Sequence, residues 1–177
     1  MDERLTKSDW IKHGLRTLAG SGMDGLKAGR MAKELNVSRG SFYWHFTDIG
    51  DFRSQLLAEW QRVTTDQVIL ELSEEAGTDR LKLLMERAFT SPDQLGRAVR
   101  LWAAQDQDAA LVVAQVDGKR TDYLATLLLA AGVPKQQAQE RASFIYCAFL
   151  GHSLVPSSGD AAMSAPAIAA LTALFEA

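Results

Sequence analysis

The sequence predicts an all-α fold. Apolar residues recur at helical spacing along almost the whole chain, no segment alternates apolar and polar residues as a half-buried strand does, and capping residues, glycines and prolines fall between the periodic stretches. The 177 residues suit one compact domain, or one with a small appendage. Hydrophobic residues at 47% and charged residues at 23% give an ordinary globular balance, which excludes a disordered chain. No solenoid-like repeat is present.

The first helix is expected over residues 7–19, with Thr6 as N-cap and Asp9 in capping-box position. Ile11, Leu15 and Leu18 form its apolar stripe, and Gly20-Ser21-Gly22 ends it. The second, over residues 27–35, turns Met31, Ala32 and Leu35 inward. Asn36 follows, a residue that tolerates the left-handed conformation. Ser38 can cap a short third helix running through Phe46. A long helix over residues 48–75 takes its apolar face from Phe52, Leu56, Val63 and Leu70, and Ala76-Gly77-Thr78 breaks it. Four more are expected over residues 79–89, 92–105, 107–131 and 134–152, with Pro92 and Pro134 in first turns and Gly132 as a stop. A loop at Pro156-Ser157-Ser158-Gly159-Asp160 precedes a final Ala-rich helix over residues 164–176, about nine helices in all.

Function concentrates where the second and third helices are joined by only Asn36-Val37-Ser38, the spacing of a helix-turn-helix. At about 100° per residue, Phe42 and Phe46 share the inward face, and Trp44 lies almost opposite Phe42. The outward face gathers groups suited to DNA. Arg39 can reach base edges or phosphate and Ser41 either, while Tyr43 and His45 can donate to phosphate oxygens. Gly40 lets the backbone approach a duplex, and Trp44 and Thr47 complete the face. The competing reading is a small helical cap that packs Trp44 on a neighbouring protein.

The net charge of −3 speaks mildly against a nucleic-acid binder, but it is unevenly spread. Residues 1–62 carry ten Lys/Arg and eight Asp/Glu, a charge of +2; residues 63–177 carry nine and fourteen, a charge of −5. Other signals dissolve on inspection. Gly20-Ser21-Gly22-Met23-Asp24-Gly25 spells a dinucleotide-binding motif but follows a helix instead of a strand. Asn36-Val37-Ser38 spells a glycosylation site within the predicted bend. His13, His45 and His152 have no metal spacing. Cys147 and His152 differ by about 140° around one helix, so they form no nucleophile pair, and Cys147 reads as a small buried hydrophobe. Asp117 and Arg120 read as a surface ion pair. No catalytic constellation is found, so no enzyme, metal or cofactor is expected. The single cysteine fits a reducing, cytoplasmic setting, and neither a secretory signal after Met1-Asp2-Glu3-Arg4 nor a membrane span is expected.

Ser38-Arg39-Gly40-Ser41-Phe42-Tyr43-Trp44-His45-Phe46 closely resembles the recognition-helix signature of the tetracycline-repressor (TetR) family of transcriptional regulators. The resemblance runs from Thr6 through Leu57 and includes Gly22, Met31-Ala32 and Val37. Downstream, Leu101-Trp102-Ala103-Ala104-Gln105-Asp106, Asp117, Arg120 and Tyr123 resemble many members' C-terminal domains. Three positions depart from the pattern. Lys27 replaces the usual hydroxyl cap of helix two, Gly29 replaces a polar residue facing DNA, and Ile49 replaces a phosphate-binding lysine. The phosphate footprint should therefore be modest.

The resemblance implies a DNA-binding domain over residues 1–50 and an effector-binding and dimerisation domain over residues 51–177. Its DNA contacts would be Lys27, Arg39, Gly40, Ser41, Tyr43, Trp44, His45 and Thr47. It implies a homodimeric repressor on a palindromic double-stranded operator, released by a small apolar or aromatic effector. Candidate pocket residues are Met85, Phe89, Trp102, Tyr123, Phe144 and Cys147. The last two helices would form the dimer interface through Phe149, Ile168, Leu171, Leu174 and Phe175, although that stripe could equally close the core. The alternative function is an all-helical protein-interaction module without sequence-specific DNA binding.

Overall fold

The computed structural model describes residues 5–75, 79–91, 93–154 and 162–177. Every regular element among them is helical: α1 (Lys7–Ser21), a 3-10 turn (Met23–Gly25), α2 (Ala28–Glu34), α3 (Arg39–Tyr43), α4 (Ile49–Gln61), a π turn (Arg62–Asp66), α5 (Gln67–Glu74), α6 (Arg80–Phe89), α7 (Gln94–Ala103), α8 (Gln107–Ala130), α9 (Lys135–Leu154) and α10 (Ala165–Glu176). The expected break at residues 76–78, the first-turn Pro92 and the loop at residues 156–160 lie outside the described residues.

Local chemistry explains the ends of several helices. Thr6 caps α1 in a reciprocal box: its hydroxyl accepts from the Asp9 N–H at 3.3 Å, and the Asp9 carboxylate accepts from the Thr6 N–H at 2.9 Å. Gly22 ends α1 with φ +64°. After α2, Asn36 adopts φ +56°, its N–H bonds to the Lys33 carbonyl at 3.2 Å, and the Val37 N–H bonds to the Ala32 carbonyl at 2.9 Å. That pair of bonds is a Schellman cap, and α8 repeats it at Gly132 and Val133.

The chain divides into two compact units, and the division interleaves segments: residues 1–63 with 94–113, and residues 64–93 with 114–177. In the first unit α1 packs on α4 and α7, and α2 on α3. Its centre is aromatic: the Phe42 ring lies 5.3 Å from Trp10, 5.0 Å from Phe46 and 5.3 Å from Phe52, all fully or almost fully buried. Ile11 and Leu18 are buried as expected and Leu15 half-buried. In the second unit α6 packs on α5, α9 and α10. Leu81, Met85, Phe89, Leu128, Ile145, Tyr146 and Ile168 are among the residues of its core.

The long helix expected over residues 48–75 is not uniform. Its α ladder is interrupted by the π turn. Arg120 docks on that turn, donating to the Thr64 carbonyl at 3.1 Å, the Thr64 hydroxyl at 2.8 Å and the Thr65 hydroxyl at 2.9 Å. Lys119 reaches Asp66 at 2.7 Å. The extra residue also shifts the buried face. Leu70, expected inside, is 57% exposed, and Leu72 is buried in its place.

Candidate nucleic-acid interface

Helices α2 and α3 are held as a unit by the bend between them. The Schellman cap turns the chain at Asn36, and Ser38 enters α3 in an extended conformation with its carbonyl accepting from the Ser41 N–H at 3.0 Å. The Ser38 hydroxyl makes no capping bond, which corrects the expected side-chain cap. Regular α3 is shorter than expected, but bonds from the Trp44, His45 and Phe46 N–H groups carry the coil on to Phe46.

Burial of Phe42 and Phe46 fixes the rotation of this segment. Arg39, Gly40, Tyr43, Trp44 and Thr47 are exposed, Trp44 by 77%, and Ser41 is half-buried. Lys27 is exposed at the start of α2 and supplies no side-chain cap. His45 takes a different place: it is half-buried, and its ring Nε2 donates to the Leu5 carbonyl at 2.9 Å, tying down the chain before α1. Six of the eight predicted contacts thus share an outward setting, Ser41 lies at its edge, and His45 is already engaged.

Within the exposed set, Arg39 and Tyr43 are coupled. The guanidinium donates to the Tyr43 hydroxyl at 3.1 Å and lies 5.6 Å from its ring centroid. The glycines on this face are not demanded by packing. A Cβ at Gly29 would meet nothing within 4 Å, and one at Gly40 only the Ser38 Oγ at 3.6 Å. Nearby carboxylates are satisfied. Glu34 accepts from Arg30 at 2.9 Å and is 3.0 Å from the His13 ring, so Arg30 first and His13 second hold its pKa below the usual range.

The predicted pocket residues separate. Met85 and Phe89 are buried in the second unit's core, and Tyr123 packs against that core half-buried. Trp102 belongs to the first unit, where it lines an open groove of about 820 Å³ with Leu18, Leu101 and Arg97. Phe144 is 65% exposed and Cys147 is also exposed, which overturns the buried reading of the thiol and removes both from that core. Sequence reasoning names Tyr123 for this region but misses His152. The Tyr123 hydroxyl and the His152 Nε2 are buried without a hydrogen-bond partner among the described residues, and the His152 ring sits 5.4 Å from Phe89. Burial raises the Tyr123 pKa. The Tyr146 hydroxyl donates to Asp117 at 2.6 Å. Periodicity gives no sign of such groups, because residues on distant helices decide whether they are buried.

The predicted interface residues also divide. Ile168 is fully buried in its own chain, and Phe149, Leu171 and Phe175 are half-buried. Leu174 is 67% exposed, and Phe144, 6.0 Å from Phe175, extends the open apolar surface of α9 and α10. The core-closing alternative therefore accounts for Ile168. Among the described residues no helix is long and apolar enough to cross a membrane.

Neither a family model nor a curated protein sequence matches the chain. Solved structures do. A protein described as a transcriptional regulator from Saccharomonospora viridis, solved in complex with choline, is 17% identical with a TM-score of 0.77, over 96% of this chain and 94% of that one. The fatty acid degradation regulator FadR from Bacillus halodurans is 17% identical with a TM-score of 0.71, over 99% and 97%. A transcriptional regulator from Rhodococcus sp. Rha1 is 19% identical with a TM-score of 0.67, over 85% and 82%. The chain shares the all-helical fold of these regulators.

Proposed function

We propose that the chain is a DNA-binding transcriptional regulator of the TetR type that responds to a small molecule. The observation that carries the reading is the α2–α3 arrangement. A Schellman bend joins two short helices, an aromatic core fixes their rotation, and Arg39, Gly40, Tyr43 and Trp44 are left facing outward. Such a helix fits a major groove, and a two-fold dimer would read two half-sites about one helical turn apart. The likeness to regulators across nearly the whole chain supports the same conclusion.

In this reading α9 and α10 join two copies through the open surface around Leu174 and Phe144, with Phe149, Leu171 and Phe175 behind it. The second unit takes the effector near Met85, Phe89 and Tyr123. The neighbour's choline supports a small-molecule role for this fold. Here the Arg120 guanidinium already lies 5.9 Å from the Phe149 ring, which disfavours a second cation at that ring and supports a neutral apolar or aromatic effector. The effector acts by binding the DNA-competent and incompetent states unequally, with release as the expected outcome of a repressor.

Selection from random double-stranded DNA across a salt series tests the reading. Enrichment of a palindromic site, with affinity falling steeply as salt rises, is the expected result. Absence of any enriched sequence at low salt and without effector overturns it in favour of a protein-interaction module.

A further inference from the structure

We infer that Arg39 reads a guanine in each half-site and that Tyr43 is its positioning residue; this rests on the DNA-binding reading above. A free arginine side chain has many rotamers, and ordering them on binding weakens a contact. In this chain the ordering is built in. Arg39 opens α3, and Tyr43 stands one turn later on the same face. The Tyr43 hydroxyl accepts one guanidinium N–H at 3.1 Å, while its ring lies under the guanidinium at 5.6 Å. That ring is braced in turn: it meets Phe42 edge-on at 5.3 Å, and Phe42 is fully buried against Trp10, Phe46 and Phe52.

The hydrogen-bond inventory then selects the base. A guanidinium carries five N–H donors and no acceptor, so four donors remain after the bond to Tyr43. Two parallel donors match the O6 and N7 acceptors that guanine presents in the major groove. Adenine calls for a side-chain amide and cytosine for a carboxylate acceptor. The exposed residues Arg39, Gly40, Tyr43 and Trp44 include neither. Gly40 beside Arg39 clears the approach, since internal packing does not require a glycine there.

The alternative role for Arg39 is a phosphate contact, and the two roles have different signatures. Losing a phosphate contact weakens all sequences alike and lowers the salt slope by about one. Losing a base contact flattens preference at one position. The experiment is DNA selection with the full-length chain and its Arg39→Ala, Arg39→Lys and Tyr43→Phe variants, followed by affinity measurements on sites substituted at single positions. All three changes are on exposed side chains, so an unchanged unfolding midpoint is expected and reports intact folding.

The parent should select one guanine per half-site that Arg39→Ala no longer distinguishes, a loss of about 5- to 150-fold in discrimination. Tyr43→Phe keeps the ring and removes the acceptor. It should lower preference for that same guanine part-way, over and above any loss of affinity shared by all sites, a pattern that a merely structural tyrosine would not give. A uniform loss of affinity in Arg39→Ala with unchanged base preferences overturns the guanine assignment and leaves DNA binding intact. Tyr43→Phe without effect on that preference overturns the positioning role. Failure of the parent to select any site overturns the inference together with the reading beneath it.

Discussion

Gly14 lies in the middle of α1, where glycine costs about 1 kcal/mol relative to alanine, so its presence there should have a packing cause. A Cβ at Gly14 would stand 2.5 Å from Phe52 Cζ and 2.9 Å from Leu56 Cδ1. Carbon atoms in contact sit about 3.5–4.0 Å apart, so the Phe52 ring would have to retreat by about 1 Å. It has little room to do so. Phe52 and Leu56 are fully buried, and the Phe52 ring is held 4.9 Å from Phe46 and 5.3 Å from Phe42. Overpacking of this kind costs about 1–3 kcal/mol. Set against the alanine's helix propensity, Gly14→Ala should lose up to about 2 kcal/mol, or up to about 8 °C in Tm for a chain of this size. Gly20→Ala is the control in the same helix, because a Cβ there meets nothing within 4 Å and propensity alone should stabilise it by up to about 1 kcal/mol. Thermal unfolding followed by circular dichroism at one fixed protein concentration measures both. A Gly14→Ala chain as stable as its Gly20→Ala counterpart would refute the packing argument.

Two further perturbations have opposite characters. Arg120→Ala leaves the Thr64 carbonyl and two threonine hydroxyls without their charged donor, and urea unfolding should show a loss of about 2–4 kcal/mol. Lys119→Ala, which breaks only the exposed pair with Asp66, should cost less than about 1 kcal/mol; equal losses would contradict this ranking. Acid should destabilise the chain. Asp9 is held below the usual carboxylate range first by the Thr6 hydroxyl, Asp106 by the Ala109 N–H, and Glu59 by Arg62. A carboxylate with a lowered folded pKa contributes stability that is complete above its unfolded value, about 4, and is lost as pH falls through the folded value. Tm should therefore fall as pH is taken below about 4, and a Tm that rises over that interval would contradict the assignment.

What could be read in the sequence was whatever local chemistry decides. The Thr6–Asp9 box, the left-handed Asn36, the Gly132 stop and the outward face of α3 each follow from residues within a turn or two of one another. What could not be read depends on distant partners. The π turn is bonded by Arg120, more than fifty residues away, so periodicity alone runs straight through it and places Leu70 inside. Helix α9 carries apolar residues on several sides: Ala142, Ile145 and Tyr146 face the core, whereas Phe144 and Cys147 do not. A wheel cannot choose among such faces without knowing the neighbours. His45 likewise suits a phosphate contact by type, yet it bonds to Leu5, forty residues earlier.

The spacing of buried residues along α4 and α5 gives the π turn a further meaning. Phe52, Leu56 and Trp60 are buried at four-residue steps, the next step to Thr65 is five, and Leu72 follows seven later. The segment therefore stores one residue of slack. Composition does not record it, because leucines stand at both position 70 and position 72 and either could serve the core. Here it is chain length that decides which of two identical side chains meets water. A substitution scan would pass over that variable, whereas a single deletion between Arg62 and Asp66 would expose it.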